Sequence, residues 1–321
     1  MAELVGIAKL AAAAPVLQEK RLVSYSELTT RSFLAKCDSP RMPFRWIVNP
    51  YRGCEFGCKY CYARYTHEFM EMRDPQEFER RIFVKQFDAI RFRQELSKLP
   101  RGETIAFGSA TDPYQPAERK YGITRALLQE FTKNSGFCIG LITKSDLIVR
   151  DIDVYREIAR RHRLSLVFTI TTLDADLARL LEPLAPRPDL RLDAMTQLAK
   201  AGLVVSVNCS PILPLINDSE ESIDAVAHAC AQAGASRFGA NVVFLKPCSK
   251  DVFISFLAEH FPHLERRYRE RFERDAFLRG DYPEKIRERV MRVKQRRGFI
   301  HKAEPADPEL WHQQEQLSLF S

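Results

Sequence analysis

Three cysteines, Cys54, Cys58 and Cys61, lie within eight residues with the spacing C-x3-C-x2-C. Thiolates are the usual protein ligands of iron–sulfur clusters. Gly53 and Gly57 stand in the same segment and allow the backbone to turn tightly around a cluster. Three ligands leave the fourth iron open, and an open coordination position distinguishes a catalytic metal site from a closed structural one. The spacing therefore predicts a cluster that takes part in catalysis.

Two other interpretations of these cysteines stay open. A closed zinc site would need a fourth ligand, which His67 could supply. Zinc motifs, however, usually combine two C-x2-C pairs, and this segment contains one. Alternatively, the three cysteines are ordinary thiols without a metal.

Short apolar runs alternate with helical patterns along most of the chain, and such alternation predicts βα units and a parallel sheet. The predicted strands are 44–48, 104–107, 137–142, 164–170, 203–207 and 242–245. The predicted helices have apolar residues at three- and four-residue spacing and are 126–131, 154–162, 174–181, 189–201 and 219–233. Two further helices are expected between 253 and 297, broken around 280–283. Gly202 and Gly234 stand where helix C-caps are expected.

Six parallel strands form either an open doubly wound sheet or a partial barrel. A Rossmann sheet would carry a glycine fingerprint after its first strand, and this sequence has none there. In barrels the functional residues gather where the strands end. Polar residues and cysteines follow each predicted strand here, namely the cysteine loop, 108–113, 143–144, 171–172, 208–211 and 246–248. The pattern favours an α/β fold, a partial (β/α)6 barrel with its site at the mouth and a helical C-terminal extension.

The cysteine spacing, with the aromatic Tyr60 just before the third cysteine, resembles the signature of radical S-adenosylmethionine enzymes. The resemblance implies a [4Fe-4S] cluster held by Cys54, Cys58 and Cys61. It also implies that the open iron binds the amino and carboxylate groups of S-adenosylmethionine. An electron from a donor such as flavodoxin or ferredoxin then cleaves this cofactor to methionine and a 5′-deoxyadenosyl radical. By the same resemblance Tyr60 and Tyr62 lie near the adenine.

Further motifs between about residues 40 and 250 resemble the spore photoproduct lyase-related branch, often labelled DNA repair photolyases. These are Asn49-Pro-Tyr-x-Gly-Cys, Ser109-Ala-Thr-Asp-Pro-Tyr-Gln-Pro, Ile142-Thr-Lys and Ser210-Pro-Ile. The resemblance implies that the cofactor is contacted by Ser109, Thr111, Asp112, Lys144 and Thr169. Lys144 would neutralise its carboxylate through a charge-assisted hydrogen bond. Asp112 could instead cap the turn that follows the strand, Lys144 could be an ordinary surface lysine, and Thr169 could simply favour the strand.

The sequence departs from this branch at one position. Spore photoproduct lyase has a cysteine after its second strand that donates a hydrogen atom to the repaired thymine, and Ser109 stands at the matching position here. An O–H bond is much harder to break homolytically than an S–H bond, so Ser109 cannot take over that step. Cys209 and Cys248 end the last two predicted strands and are alternative donors, or simply buried thiols.

The positive charge is concentrated near the C-terminus. The formal net charge is +7, and residues 261–300 contain 13 Lys and Arg against 7 Asp and Glu, a net of +6. A basic segment suggests a polyanionic partner, and DNA is our leading expectation. The candidate phosphate contacts are Arg266, Arg267, Arg269, Arg271, Arg274, Arg287, Arg289, Arg292, Lys294, Arg296 and Arg297. Alternatively, neighbouring glutamates pair with these residues along a solvated helix face.

The composition of the chain indicates its class of protein and its location, and the patterns along it indicate its domain boundaries. Hydrophobic residues make up 45% and charged residues 28%, which excludes a mainly disordered chain. With no apolar run near 18 residues and no secretory signal, eight cysteines suggest a cytoplasmic protein with no membrane partner. We expect an N-terminal extension (1–40), the barrel (41–250), the basic extension (251–300) and a flexible tail (301–321).

The tail ends in a short apolar motif. Its residues Gln316, Leu317, Ser318, Leu319 and Phe320 resemble the pentapeptide with which bacterial proteins bind the sliding clamp. The sequence leaves three functions open: a lyase-like radical enzyme on DNA, a radical enzyme on RNA, a peptide or a metabolite, and a non-catalytic cluster-bearing binding module.

Overall fold

The computed structural model describes residues 4–19, 22–40 and 42–299. Its strands are β1 (Val16–Glu19), β2 (Ser24–Leu28), β3 (Leu34–Lys36), β4 (Trp46–Val48), β5 (Tyr51–Arg52), β6 (Arg81–Lys85), β7 (Thr104–Phe107), β8 (Cys138–Thr143), β9 (Arg163–Thr169), β10 (Val205–Asn208) and β11 (Arg237–Gly239). Its α-helices are α1 (Gly6–Ala12), α2 (Tyr65–Glu68), α3 (Glu77–Arg80), α4 (Ala89–Ser97), α5 (Ala117–Tyr121), α6 (Ile123–Phe131), α7 (Ile152–Arg161), α8 (Ala175–Leu181), α9 (Pro188–Lys200), α10 (Glu220–Gln232), α11 (Pro247–His260), α12 (Pro262–Arg271) and α13 (Tyr282–Arg296). Two 3-10 segments, Tyr62–Arg64 and Asp146–Asp151, precede α2 and α7.

The main sheet has seven strands in the order β11-β10-β9-β8-β7-β4-β3. All neighbours are parallel except β3, which pairs antiparallel with β4. Although β4 and β11 stand at opposite ends of the parallel run, the segments that follow them meet, because the rings of Tyr62 and Phe244 lie 5.0 Å apart. The sheet therefore curls into a partial barrel, as expected.

Alternating side chains explain how the strands fill this core. Along β9, Leu164, Leu166 and Phe168 are buried, while the residues between them are only partly covered. The helices follow the predicted pattern closely. α6, α7, α8, α9 and α10 each overlap one predicted helix, and Gly202 and Gly234 follow α9 and α10 with φ of +81° and +87°, which glycine adopts without strain.

The sequence analysis missed a second, four-stranded sheet in the order β1-β2-β6-β5. Its strand β2 runs parallel to β6, whereas β5 pairs antiparallel with β6 immediately before the cysteine loop. Tyr25, Tyr51, Ile82 and Val84 form an apolar cluster with Ala117 of α5 on this sheet. Strand β5 has two residues, too few to give a periodic signal.

Two predicted elements are wrong. The sixth parallel strand is β11 rather than 242–245, where Val242 and Phe244 form isolated bridges. Within β11 Phe238 is buried and its two neighbours are exposed, so the strand lacks an apolar run. The segment after the barrel forms three helices instead of two, because Pro262 starts a new helix after Phe261. The break predicted around 280–283 is confirmed, since α13 begins at Tyr282.

Helix α13 lies against the start of α10 through ion pairs. Arg292 and Arg296 contact Glu220, at 2.9 and 2.7 Å, and Arg297 contacts Asp224 at 2.5 Å. No helix among residues 4–19, 22–40 and 42–299 is long and apolar enough to cross a membrane. The predicted tail and its pentapeptide Gln316–Phe320 lie outside the described residues.

Candidate active site

The cysteine loop begins in a tight backbone turn at Gly53, whose φ is +80°. A Cβ atom there would lie 2.7 Å from the carbonyl oxygen of Phe78 and 2.8 Å from that of Arg81, so the position requires glycine. The N–H of Cys54 donates a hydrogen bond of 2.9 Å to the same Phe78 carbonyl. Helix α3 and the start of β6 thus fix where the loop starts.

The second half of the loop is held by side chains and by α8. The N–H of Lys59 donates to the carbonyl of Leu181 at 2.9 Å. Arg64 is fully buried, donates to the carbonyl of Cys58 at 3.0 Å and pairs with Glu79. A buried arginine that bonds a loop carbonyl restricts the loop to one conformation.

The three thiols are brought together and shielded from solvent. Cys54 and Cys58 are buried, Cys61 is half-buried, and all three are free. Burial raises the pKa of Cys54, and the negative charges of Asp112, Cys58 and Cys61 raise it further. Burial also raises the pKa of Cys58 to about 12, against the opposing charge of Lys144. The thiols therefore lie close enough to interact with one another.

Within the described residues, no three His, Cys, Asp or Glu side chains are arranged to hold one metal ion. His67, the candidate fourth zinc ligand, packs against Phe78 and Phe83, with ring centroids at 5.2 and 6.0 Å. Its Nε2 donates to the carbonyl of Arg81 at 3.0 Å. A cluster has a separate iron for each thiolate, so its ligands surround a volume rather than a point.

Lys144 faces the cysteine loop. Its Nζ lies 5.7 Å from the ring centroid of Tyr60. Burial lowers the pKa of Lys144, but the negative charges of Cys58 and Glu182 outweigh burial and raise the pKa above its usual value. Lys144 is therefore a half-buried cation beside the thiols and not a freely exposed surface lysine, which suits a ligand carboxylate.

A buried ion pair that the sequence analysis missed lies behind Tyr60. Glu182 accepts hydrogen bonds from the hydroxyl groups of Tyr60 and Thr171, the latter at 2.5 Å, and contacts Arg191 at 2.5 Å. Both charged side chains of this pair are almost fully buried. The signal was present, because Arg191 occupies the same helix face as the buried Ala194.

The loop after β7 supports the cysteine loop directly. The Thr111 hydroxyl donates to the carbonyl of Gly53 at 2.6 Å, and the Gln115 amide donates to the same carbonyl at 3.1 Å. Asp112 accepts from the Thr143 hydroxyl at 2.7 Å and from the N–H groups of Tyr114 and Lys144, at 2.9 and 2.8 Å. Asp112 thus joins the ends of β7 and β8, as the turn-capping interpretation expects.

The other predicted cofactor contacts also lie near the barrel mouth. The Tyr62 hydroxyl donates to the carbonyl of Ser109. The Ser109 hydroxyl accepts from the side-chain amide of Asn49 at 3.2 Å. Thr169 is buried, and its carbonyl accepts from Arg191 at 2.9 Å. Tyr62 and Ser109 therefore link the loops after β4 and β7.

The structure does not bring the two candidate hydrogen-atom donors together. Cys209 is buried, with its Sγ 3.9 Å from the carbonyl of Thr171, next to the Glu182 pair. Cys248 lies at the start of α11, where its thiol interacts with Glu68. Burial raises the pKa of both thiols, to about 12 for Cys209 and about 11 for Cys248.

The model of the Radical SAM superfamily matches residues 48–229, from the end of β4 into α10. The chain belongs to this superfamily. Its members use a [4Fe-4S] cluster and S-adenosylmethionine, and the predicted cofactors are thereby confirmed.

Two relatives illustrate how far the similarity extends. An uncharacterized protein of Mycobacterium tuberculosis (strain ATCC 25618 / H37Rv) is 34% identical over 289 residues, 89% of this chain and 85% of that protein. An uncharacterized protein of Methanocaldococcus jannaschii is 27% identical over 180 residues, 55% of this chain and 63% of that protein. The first similarity therefore extends over most of this chain and the second over about half of it.

Solved structures of spore photoproduct lyase have the same fold. The complex with dinucleoside spore photoproduct superposes with a TM-score of 0.63 at 14% identity and covers 85% of this chain and 79% of that chain. A mutant with bound AdoMet and the same dinucleoside gives a TM-score of 0.61 at 13% identity, over 84% and 79%. At this identity the likeness establishes the radical SAM fold alone.

The residues at the mouth fit the radical SAM cofactors. The three thiols have soft sulfur donors for iron, and the described residues show no disulfide among them. The half-buried cation of Lys144 lies beside them without a directly bonded carboxylate among the described residues. This arrangement leaves sulfur donors for a cluster and a positive charge for an amino-acid carboxylate.

Proposed function

We propose that Cys54, Cys58 and Cys61 hold three irons of a [4Fe-4S] cluster and that the chain cleaves S-adenosylmethionine reductively. The observation that carries the proposal is that three shielded thiols and the half-buried cation of Lys144 lie together at the carboxyl ends of parallel strands. A non-catalytic binding module would have no use for such a cation beside its ligands.

When bound, the reduced cluster and S-adenosylmethionine supply methionine and a 5′-deoxyadenosyl radical. The side chains of the protein bind S-adenosylmethionine and orient it. Lys144 neutralises the carboxylate of the cofactor, while Tyr60 and Tyr62 lie near its adenine. The Glu182–Arg191 pair holds the Tyr60 hydroxyl in place. Burial excludes water, so each charged contact is stronger than it would be in solvent.

We propose DNA as the substrate class, with lyase-like chemistry on a damaged base. Supporting this are the fold shared with a lyase solved in complex with a dinucleoside photoproduct and the net charge of +7. Because Ser109 cannot donate a hydrogen atom, the reaction differs from thymine-dimer reversal at that step. Cys209, beside the Thr171 carbonyl, is our first candidate donor and Cys248 our second.

A second candidate is a radical enzyme that acts on RNA, a peptide or a metabolite. One observation favours it. Several basic side chains in 261–300 already contact carboxylates, among them Arg292 and Arg296 on Glu220 and Arg269 on Glu265. A paired arginine must give up a carboxylate before it binds a phosphate, which reduces its value for DNA.

One experiment separates these candidates. The protein is reconstituted anaerobically with iron and sulfide, reduced, and assayed for 5′-deoxyadenosine alone, with ultraviolet-damaged DNA and with undamaged DNA. A DNA repair enzyme should form more 5′-deoxyadenosine with damaged DNA than with either control. Formation that is equal in all three arms would leave the radical chemistry intact and remove DNA as the substrate.

The remaining partners are proposals as well. A flavodoxin or ferredoxin would supply the electron, and the pentapeptide 316–320 would bind a bacterial sliding clamp. The clamp proposal is tested with a peptide of residues 311–321 against the clamp of the same organism. A matched peptide with Leu319→Ala and Phe320→Ala should lose binding. Equal signals from the two peptides would remove this support for a role at DNA.

A further inference from the structure

Two basic side chains share one face of the small sheet, beside the cysteine loop. Strands β5 and β6 are antiparallel, with Arg52 opposite Phe83. Lys85 lies two residues further along β6, so it stands on the same face as Phe83 and diagonally across from Arg52. Diagonal neighbours in such a pair are about 7–8 Å apart, within reach of long side chains.

Both side chains are largely shielded from solvent and have few polar groups nearby with which to form hydrogen bonds. Lys85 is 9% exposed, and its Nζ lies 5.7 Å from the ring centroid of Phe33. Arg52 is half-buried, and its Nε is fully buried with no hydrogen-bond partner. Among the residues that the structure describes, neither side chain forms a hydrogen bond or an ion pair.

The nearby carboxylates are committed elsewhere. Arg81 is the next cation along this face, and its guanidinium forms an ion pair with the carboxylate of Glu77 at 3.9 Å. Glu95 acts on Lys85 from a distance, but its Oε2 accepts from the N–H groups of Phe33 and Leu34, at 3.1 and 3.3 Å. Within the part of the chain that the structure describes, Arg52 and Lys85 therefore lack a bonded counter-ion.

His67 adds a third basic group with unused bonding capacity. Its ring packs on Phe83, which places it on the face that carries Arg52 and Lys85. Nε2 donates to the Arg81 carbonyl, whereas Nδ1 is buried and has no hydrogen-bond partner among the described residues. A buried polar atom without a partner is rare in folded proteins and calls for an explanation.

The pKa values of Lys85 and His67 favour an anion beside them. Burial and the charge of Arg52 lower the pKa of Lys85 to about 7, and Glu95 opposes them only in part. Burial lowers the pKa of His67 to about 4, and the charges of Arg52 and Arg81 contribute. An anion between these groups would offset both burial and mutual repulsion.

We propose that Arg52, Lys85 and His67 form a binding site for a phosphate group. The guanidinium offers a planar set of donors that matches phosphate oxygens, and the ammonium adds a point charge. The imidazole is neutral without the anion, and it adds the Nδ1–H as a donor when the bound phosphate stabilises its protonated form. Arg52 keeps part of its surface exposed, which gives the anion a route in. The phosphate comes either as inorganic phosphate or on a nucleotide. The proposal does not depend on the proposed radical chemistry.

The test uses the full chain in a buffer free of phosphate and sulfate, with inorganic phosphate as the probe. A ligand that binds the folded state raises the melting temperature by mass action, and binding also broadens the ³¹P resonance. We expect both effects, with no melting shift from sodium chloride at equal ionic strength. Lys85→Met, which keeps an unbranched side chain, should weaken phosphate binding by about tenfold or more.

Matched variants keep the result interpretable. Lys200→Met removes an exposed lysine at the end of α9 and should bind phosphate like the parent chain. Lys85→Arg should retain binding, and Arg52→Gln serves if Lys85→Met fails to fold. Tighter binding of a nucleoside monophosphate than of inorganic phosphate would assign the site to a nucleotide, and equal binding would assign it to the free anion.

Three outcomes would overturn the proposal. The first is the absence of any phosphate-dependent shift up to about 10 mM. The second is equal affinity in Lys85→Met and Lys200→Met. The third is displacement of phosphate by S-adenosylmethionine, which would make these residues part of the cofactor site.

Discussion

Two basic regions of this molecule differ in whether their cations are paired with carboxylates. At the barrel mouth, Lys144 is half-buried beside the thiols of Cys58 and Cys61, and it lacks a bonded carboxylate among the described residues. In α13, Arg292 and Arg296 are exposed and contact Glu220 of α10, and the half-buried Arg297 just after α13 contacts Asp224. The formal charge of a segment therefore does not give the number of its cations that remain unpaired.

This difference shows that the number of cations in a region is not the number free to bind an anion. Exposed ion pairs contribute little to stability, yet they occupy the cations that form them. A cation shielded from solvent interacts more strongly with a bound anion, because little water competes for it. A count of lysines and arginines therefore overstates how well 261–300 can bind a polyanion and understates the mouth.

The largest effect should come from breaking the buried pair behind Tyr60. Glu182→Ala leaves Arg191 buried without its partner, and we expect a loss of about 3–5 kcal/mol in the free energy of unfolding. Glu220→Ala, the matched change in the exposed network, should have a much smaller effect. Urea denaturation of both variants checks this, and equal losses would contradict the comparison.

Lys144→Ala should weaken S-adenosylmethionine binding while the cluster stays intact. The lost charge-assisted hydrogen bond corresponds to roughly 1.5–3 kcal/mol, or about ten- to a hundred-fold in affinity. Calorimetric titration of the reconstituted protein measures the affinity, and the visible absorption spectrum monitors the cluster. Lys200→Ala is the control, and an unchanged dissociation constant for Lys144→Ala would remove Lys144 from the cofactor site.

The barrel should also respond to acid before the exposed pairs do. Burial lowers the pKa of His162 from 6.5 to about 4 in the folded state. The neutral imidazole accepts from the N–H of Phe137 at 3.1 Å and donates to the carbonyl of Phe131. The folded state binds fewer protons there than the unfolded state, so this contribution is complete above about pH 6.5 and is lost as pH falls towards about 4.

We expect that loss to reach about 1–3 kcal/mol in the free energy of unfolding at low pH. Denaturation curves between these pH values measure it, with His162→Gln as the variant that should flatten the slope. A parent chain whose stability does not change across this range would contradict the assignment. Asp224, whose pKa is lowered by its hydrogen bonds to Arg297, should lose its contribution only at lower pH.

The smallest effect concerns DNA. An arginine that contacts a phosphate contributes about 0.9 to the slope of log affinity against log salt concentration. Because Arg292 and Arg296 already contact Glu220, we expect Arg292→Gln and Arg296→Gln to change the slope by much less. Fluorescence anisotropy at several salt concentrations measures this, and a full change of about 0.9 per substitution would show that these arginines leave Glu220 for DNA.

The sequence predicted what depends on local pattern. Five of the six parallel strands and the helices between them follow from apolar periodicity, and the cysteine spacing marks the site. It missed β11, whose single buried residue is Phe238, and the pairing of β5 with β6, which is short and non-local. Likewise, the joining of Glu182 to Arg191 depends on how two helices pack, which one-dimensional spacing does not encode.

The central claim is that the three thiols of the cysteine loop hold a catalytic [4Fe-4S] cluster. The most direct measurement is iron content and 5′-deoxyadenosine formation in anaerobically reconstituted protein, compared between the parent chain, Cys58→Ala and the half-buried Cys138→Ala. The account predicts about four irons per chain and 5′-deoxyadenosine in the parent and Cys138→Ala, and neither in Cys58→Ala. Normal iron and 5′-deoxyadenosine in Cys58→Ala, or a parent chain that holds one tight zinc instead, would contradict it.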